Sequence, residues 1–183
     1  MRSQLTDGRL AIRAYWPGVA AAKFEAVNES MAEIGPSFSN WYEGIPLAEV
    51  AKHVQESVQA WQEGTWYDFA VTPADSDAYL GHAGLDHVDQ GTGTTNVGYW
   101  VRSSQTGRGV ATAAVRLLTQ FAFEDLGLQR LELVITIGNQ PSRRVAEKLE
   151  ARCEGTLPAG MHRGQVHLDH VSWCYVLART AQR

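Results

Sequence analysis

The sequence predicts a mixed α/β domain (α+β) on a mainly antiparallel sheet, and three observations predict it. Between Gly64 and Val101 the apolar residues follow strand periodicity in three runs joined by short turns. A glycine-rich turn then opens a helix with one buried face. A nearly continuous apolar run and a second helix follow, giving a strand–loop–helix–strand–helix unit at the centre of the chain. A length of 183 residues suits one domain over 1–183, with its core at about 9–178.

Taken in order, Leu10 to Arg13 alternates apolar and polar and predicts a first strand. Pro17 and Gly18 punctuate the chain before an Ala-rich helix over Val19 to Met31. A looser stretch, Gly35 to Gly44, carries Phe38, Trp41 and Tyr42. Leu47 to Trp61 reads as an amphipathic helix, with Val50, Val54, Val58 and Trp61 on one face. Trp66–Val71, Tyr79–Val88 and Thr95–Val101 are the three strands of a meander, with turns at 73–77 and 89–94. In the helix after the glycine-rich turn, Ala111, Ala114, Val115, Leu118, Phe121 and Ala122 form the buried face, and Gly127 is expected at the C′ position. Leu131 to Ile137 reads as a strand covered on both faces. Asn139 caps a helix running to about Leu149, with Pro141 in its first turn. Two last strands are expected near Arg152–Leu157 and Leu168–Leu177.

Composition narrows the function. Hydrophobic residues make up 44% and charged residues 20%, ordinary for a globular chain. The net charge of −4 lacks the basic surplus of a nucleic-acid binder and weakly suits a cationic acceptor. Cys153 and Cys174 have no metal-ligand spacing, and two reduced thiols in a cytoplasmic protein are expected. The N-terminus lacks the apolar core of a signal peptide, and no apolar run approaches the ~20 residues that span a bilayer, so no membrane role is expected.

The feature that carries chemistry is the loop Ser104-Gln105-Thr106-Gly107-Arg108-Gly109-Val110-Ala111-Thr112. A glycine-rich turn at a helix start presents free N–H groups and the positive end of the helix dipole, which together favour an anion. Gly107 and Gly109 let the backbone come close, Arg108 adds a charge and Thr112 a hydroxyl. A plain glycine turn is the alternative. The Gly-Lys-Ser/Thr of a Walker loop is absent, and so is the three-glycine dinucleotide fingerprint after a first strand.

With Val97-Gly98-Tyr99-Trp100-Val101 before this loop and Asn139-Gln140-Pro141-Ser142 after it, the chain resembles the GNAT acetyltransferase superfamily. It is most similar to the branch of ribosomal-protein N-terminal acetyltransferases (RimJ/RimL-like). Arg9-Leu10-Ala11-Ile12-Arg13, Glu154-Gly155 and Asp169-His170-Val171 extend the resemblance over most of the chain. It departs at Thr106, where the family's Gln/Arg-x-x-Gly-x-Gly/Ala loop begins, at Glu150-Ala151, where a Gly-Phe pair is usual, and at Asn96, where many relatives carry an acid. The resemblance implies a sheet with helices on both faces, acetyl-CoA as co-substrate, no metal, and a possible homodimer. It also implies CoA contacts from Thr106, Gly107, Arg108, Gly109, Val110, Ala111 and Thr112 to the pyrophosphate. Trp100, Val101 and Asn139 would meet the pantetheine, with Ser142 near the sulfur.

Transfer from a thioester to an amine requires a polarised carbonyl, a neutral amine and a stabilised thiolate. A backbone N–H near Val101 suits the first task. Ser142, at a helix N-terminus, suits the last, or else it caps the helix. Tyr175 is an alternative acid, or else a packed aromatic. No spacing singles out a base among His82, His87, His162, His167 and His170, or Asp86, Asp89 and Asp169. Without a dedicated base, an α-amine of pKa ~8 is favoured over a lysine at ~10.4. For the acceptor, Phe38, Trp41, Tyr42 and Trp61 are candidate walls and Glu25, Glu29 and Glu33 candidate cation attractors, with core and solvated helix face as the alternatives. Trp41 and Glu33 are the residues chosen for acceptor binding. The expected function is transfer of acetyl to a primary amine, a protein or peptide N-terminus, by direct attack in a ternary complex. A small-molecule amine acetyltransferase and a non-catalytic acyl-CoA-binding module are the rivals.

Overall fold

Strands form where the sequence alternates or runs β-branched, and helices where apolar residues return every three or four positions. The computed structural model describes residues 1–35, 43–163, 166–168 and 170–179. In chain order the elements are β1 (Gln4–Thr6), β2 (Leu10–Ala14), a 3₁₀ turn (Pro17–Val19), α1 (Ala20–Ile34), α2 (Leu47–Glu63), β3 (Tyr67–Pro73), β4 (Gly81–Asp89) and β5 (Thr94–Val101). Then come α3 (Val110–Glu124), β6 (Arg130–Thr136), α4 (Gln140–Lys148), β7 (Arg152–Leu157), β8 (His162–Arg163), β9 (Val166–His167) and β10 (Ser172–Ala178).

Eight strands form one sheet in the order β1-β2-β3-β4-β5-β6-β10-β7, and β8 and β9 pair apart from it. Every described pairing in the large sheet is antiparallel except β5 with β6. The parallel pair needs a crossover, which α3 supplies. The crossover is short at its far end: Gly127 (φ 71) reverses the chain, and Leu128 donates its N–H back to the Ala122 carbonyl. The helix itself stops at Glu124, three residues before that glycine rather than directly against it.

The sheet separates two cores. On one side Ile12, Phe69, Leu85, Val97, Leu131 and Leu133 meet the α3 face, including Val115, Leu118 and Phe121. On the other, Tyr15, Ala70, Tyr79 and Trp100 meet α1 and α2 through Val27, Val50 and Val54. Trp61 of α2 reaches round to the α3 side, where its ring lies 5.0 Å from Phe69 and 5.5 Å from Phe121. It is core and not an acceptor wall.

Three expectations change. A strand at Gln4–Thr6 precedes the expected first one, too short for an alternation to show in sequence. β6 is not covered on both faces: Leu131, Leu133 and Ile135 are buried, while Glu132, Val134 and Thr136 are half-exposed. Their face borders a cleft, described next. The helix expected over 19–31 continues to Ile34.

Candidate active site

The site begins with a failure of pairing. β5 and β6 are hydrogen-bonded only where Thr94, Thr95 and Asn96 lie opposite Arg130, Leu131 and Glu132. Beyond that point both strands continue unpaired to each other, β5 to Val101 and β6 to Thr136. The facing stretches, Val97–Val101 and Leu133–Thr136, line a single cleft of about 2310 Å³. Strand edges opened in this way offer main-chain N–H and C=O groups to an extended ligand, as a neighbouring strand would.

At one end the cleft meets the N-terminus of α3. Gly109 is the cap residue with φ 77, and Gly107 has φ 73, conformations that side-chain-bearing residues rarely adopt. No side chain caps this helix, so the amides of its first turn remain for a ligand. Thr106, Gly107, Gly109, Val110, Ala111 and Thr112 all line the cleft. Arg108 is exposed, with its guanidinium 3.4 Å from Gln105 Oε1. Arg9 reaches the same loop, donating to the Arg108 carbonyl at 3.5 Å, a contact 99 residues apart in the chain that no local pattern predicts.

At the other edge stands α4. Asn139 Oδ1 accepts the Ser142 N–H at 3.1 Å, so the cap is Asn139 and Ser142 receives it through its amide. Tyr99 donates its hydroxyl to the Ser142 carbonyl at 3.2 Å, bridging β5 to α4. Burial pushes the Tyr99 phenol up to about 12, although the bond to Ser142 pulls the other way. Asn139, Ser142, Trp100 and Val101 line the cleft. Tyr175 sits in the α3-side core, 5% exposed, and is not among the lining residues.

α1 fastens the segment that leads into the glycine-rich loop. Glu29 accepts from Arg102 Nε at 2.5 Å and from the Ser104 N–H at 3.0 Å, and these hydrogen bonds, led by Ser104, lower its carboxyl to about 2. Ser30 Oγ accepts the Ser103 N–H at 3.0 Å, and Glu33 accepts the Ser103 hydroxyl at 2.9 Å. Glu33 borders the cleft while engaged in that bond. Trp41, Phe38, Tyr42 and Asp169 lie outside the described residues.

On the α1/α2 side of the sheet the cleft contains a polar cluster. Asp68 accepts from the Ser57 hydroxyl, lies 3.4 Å from His53 Nε2 and 3.7 Å from His82 Nε2. His82 Nδ1 is 3.0 Å from Tyr15 Oη, which is 2.9 Å from Tyr79 Oη. Lys23, 1% exposed, places its ammonium 4.5 Å from the Tyr15 ring centre. Burial works against the Asp68 carboxylate, but His82, His53 and Lys23 outweigh it and hold the group well below the usual range. Burial lowers His82 to about 4 despite Asp68, and Lys23 to about 7. The imidazole is therefore neutral at physiological pH. His87, by contrast, is exposed and paired with Asp86, and His162 and His167 belong to the β8–β9 hairpin. Among the described residues there is no group of three or more His, Cys, Asp or Glu able to hold a metal ion. No described helix is long and apolar enough to cross a membrane.

Residues 9–152 match the acetyltransferase (GNAT) domain model. The chain belongs to the GNAT acetyltransferase family. It is 30% identical over 120 residues to "Probable N-acetyltransferase YjcK" of Bacillus subtilis, covering 65% of this chain and 66% of that one. The fold is that of RimL, a ribosomal L7/L12 alpha-N-protein acetyltransferase solved with coenzyme A, at 18% identity and a TM-score of 0.80 over 93% of this chain and 94% of that one. It is also that of the microcin C7 self-immunity acetyltransferase MccE, solved with acetyl-CoA and AMP, at 16% identity and a TM-score of 0.84 over 98% of each chain. The chain is thus an acetyl-CoA-dependent N-acetyltransferase of the GNAT fold. Its residues fit the cofactor: the uncapped α3 terminus suits the pyrophosphate and the unpaired β5 edge suits the pantetheine arm.

Proposed function

We propose that this enzyme acetylates a protein or peptide N-terminal α-amine by direct attack on acetyl-CoA in a ternary complex. The observation that carries the reading is the cleft itself. It runs from the α3 terminus along the opened β5 edge to the α1/α2 face, so donor and acceptor meet at β5 from opposite sides. In this arrangement the loop 106–112 holds the pyrophosphate, and Trp100, Val101 and Asn139 take the pantetheine. The Val101 N–H faces the thioester oxygen. Ser142, with the Tyr99 hydroxyl bonded to its carbonyl, stands on the thiolate side at a helix start that favours negative charge. Neither cysteine enters: Cys153 is exposed on β7, Cys174 is buried in β10, and neither lines the cleft. The kinship in fold with an α-N-protein acetyltransferase supports the N-terminal acceptor. Ribosomal acceptors would place the enzyme in the cytoplasm, and a homodimer is the assembly to look for.

Thiol release from acetyl-CoA in the presence of peptides with free N-termini, their N-blocked lysine-containing counterparts and small amines tests the reading. Turnover of the free N-terminal peptides is expected. Turnover of small amines alone would move the assignment to the second reading, a small-molecule acetyltransferase, which the likeness to the microcin immunity enzyme favours. CoA binding without turnover of any amine would overturn catalysis.

A further inference from the structure

Two glycines and two polar side chains on one face of the sheet mark where the amine sits. Asp68, Gly84 and Gly98 lie directly opposite one another on β3, β4 and β5, so all three face α1 and α2. A Cβ on Gly84 would stand 2.6 Å from Asp68 Oδ1 and 3.0 Å from His82 Nε2. The carboxylate, leaning from β3, and the imidazole, leaning along β4, therefore converge over that glycine. One strand further, Gly98 has nothing within 4 Å of where its Cβ would be. Neighbouring strands are about 4.8 Å apart, so the space over Gly98 lies within reach of both groups. Gly98 is also just past the last β5–β6 pair, where the strand edge opens to the donor. Asn96, next on the same face, lines the cleft with a buried Oδ1 that has no hydrogen-bond partner. Glycine inside a strand weakens it, and is used where something must approach closely.

We propose that the acceptor amine is seated over Gly98, held by Asp68 and Asn96, and gives up its proton to His82 Nε2 as it attacks the thioester. This rests on the N-acetyltransferase reading above and names its acceptor machinery. The amine enters neutral. Its lone pair forms the N–C bond with the thioester carbon, and the carbonyl oxygen takes the negative charge. The nitrogen, now positive and strongly acidic, passes one proton to His82 Nε2. Collapse restores the carbonyl, breaks the C–S bond and releases CoA as thiolate. His82 can accept at Nε2 in the tautomer whose Nδ1–H is donated to Tyr15, and Tyr15 in turn donates to Tyr79. The imidazolium so formed faces Asp68 through that same Nε2, 3.7 Å from Oδ1. Tyr15, Tyr79, Ser57 and His53 are positioning residues. Lys23 from α1 and His53 from α2 set the local charge around Asp68 and His82 from the helix side.

The seat also selects its substrate. Lys23 already offsets part of the Asp68 charge, so the site has less to hold a permanently charged ammonium. An amine of pKa ~8 is partly neutral near pH 7 and a lysine side chain at ~10.4 is not. The seat therefore takes α-amines in preference to lysine amines.

The test is steady-state kinetics on the full chain with a hexapeptide bearing a free N-terminal alanine, with acetyl-CoA affinity measured by calorimetry. H82Q is expected to lower kcat about 100-fold with acetyl-CoA Kd unchanged, the usual scale for a lost general base. D68N is expected to raise the peptide KM about 10-fold or more. G98V fills open space, keeps the fold, and is expected to raise the peptide KM without moving acetyl-CoA Kd. If the wild-type protein acetylates the peptide and G98V leaves its KM unchanged, the seat is elsewhere while the function stands. Unchanged kcat in folded H82Q equally overturns the proton path. If the wild-type protein turns over no amine, the N-acetyltransferase reading fails before the seat is reached.

Discussion

The two ends of the cleft are built differently, and the proposed function gives the donor one and the acceptor the other. The donor end is main chain: an unpaired strand edge, two glycines with positive φ and an uncapped helix start. The acceptor end is side chain: Asp68, His53, His82, Tyr15, Tyr79 and Lys23, brought from α1, α2, two strands and two connecting segments. Main-chain recognition tolerates sequence change so long as the backbone path is kept. Side-chain recognition changes with every substitution, which suits the half of the reaction that differs between family members.

The largest effect should come from closing the donor end. Gly109→Trp places a bulky residue at φ 77 in the phosphate loop. CoA binding is expected to fall at least about 100-fold by calorimetry, while circular dichroism shows the fold retained. Unchanged affinity would show that the pyrophosphate lies elsewhere. The acceptor end should instead reveal itself through acid. His82 in the folded chain titrates at about 4, below the ~6.5 of an unfolded histidine, so the unfolded chain binds more protons between those values. The His82 contribution to stability is therefore complete above about pH 6.5 and declines as pH falls towards 4, by on the order of 3 kcal/mol. Asp68, held low, extends the loss below the ordinary carboxylate range. In urea titrations across pH, H82Q should flatten the part between 6.5 and 4.

Smaller effects separate the two roles open to Ser142. Because Asn139 is the cap, Ser142→Ala should lower kcat about 10-fold with little change in CoA affinity or melting temperature. Equal losses in rate and affinity would mean that the hydroxyl serves binding. Asn139→Ala should cost about 1 kcal/mol through the lost cap, read as a lower urea midpoint.

The donor end was legible in sequence because its parts are contiguous: a strand, a glycine turn and a helix in one run from Thr94 to Glu124. The order of the longer strands and helices followed from periodicity and turn residues, whereas β1, β8 and β9 are too short to show in it. The acceptor cluster was not legible, since its members are scattered from residue 15 to 82 and each alone has an ordinary reading. In the sequence His53 is one polar position of an amphipathic helix and Lys23 one cation in an Ala-rich segment, with nothing to show that Lys23 is buried. One signal was available. Asp68 stands between Tyr67 and Phe69 in a strand, and Gly84 and Gly98 interrupt two others, which together mark a face kept clear for close approach. Glu33 was legible as an acid near the cleft but not as the acceptor of the Ser103 hydroxyl, which depends on how α1 packs.

That contact has a consequence for the order of events. Glu29, Ser30 and Glu33 fasten one face of α1 to residues 102–104, immediately before the phosphate loop, while Lys23 on the same helix stands over the amine's side. Nucleotide bound at the loop is thus expected to stiffen α1, the helix that also carries Lys23. Amide exchange in α1 should slow when CoA is added alone. Desulfo-CoA should compete against acetyl-CoA while leaving the peptide's apparent affinity no weaker.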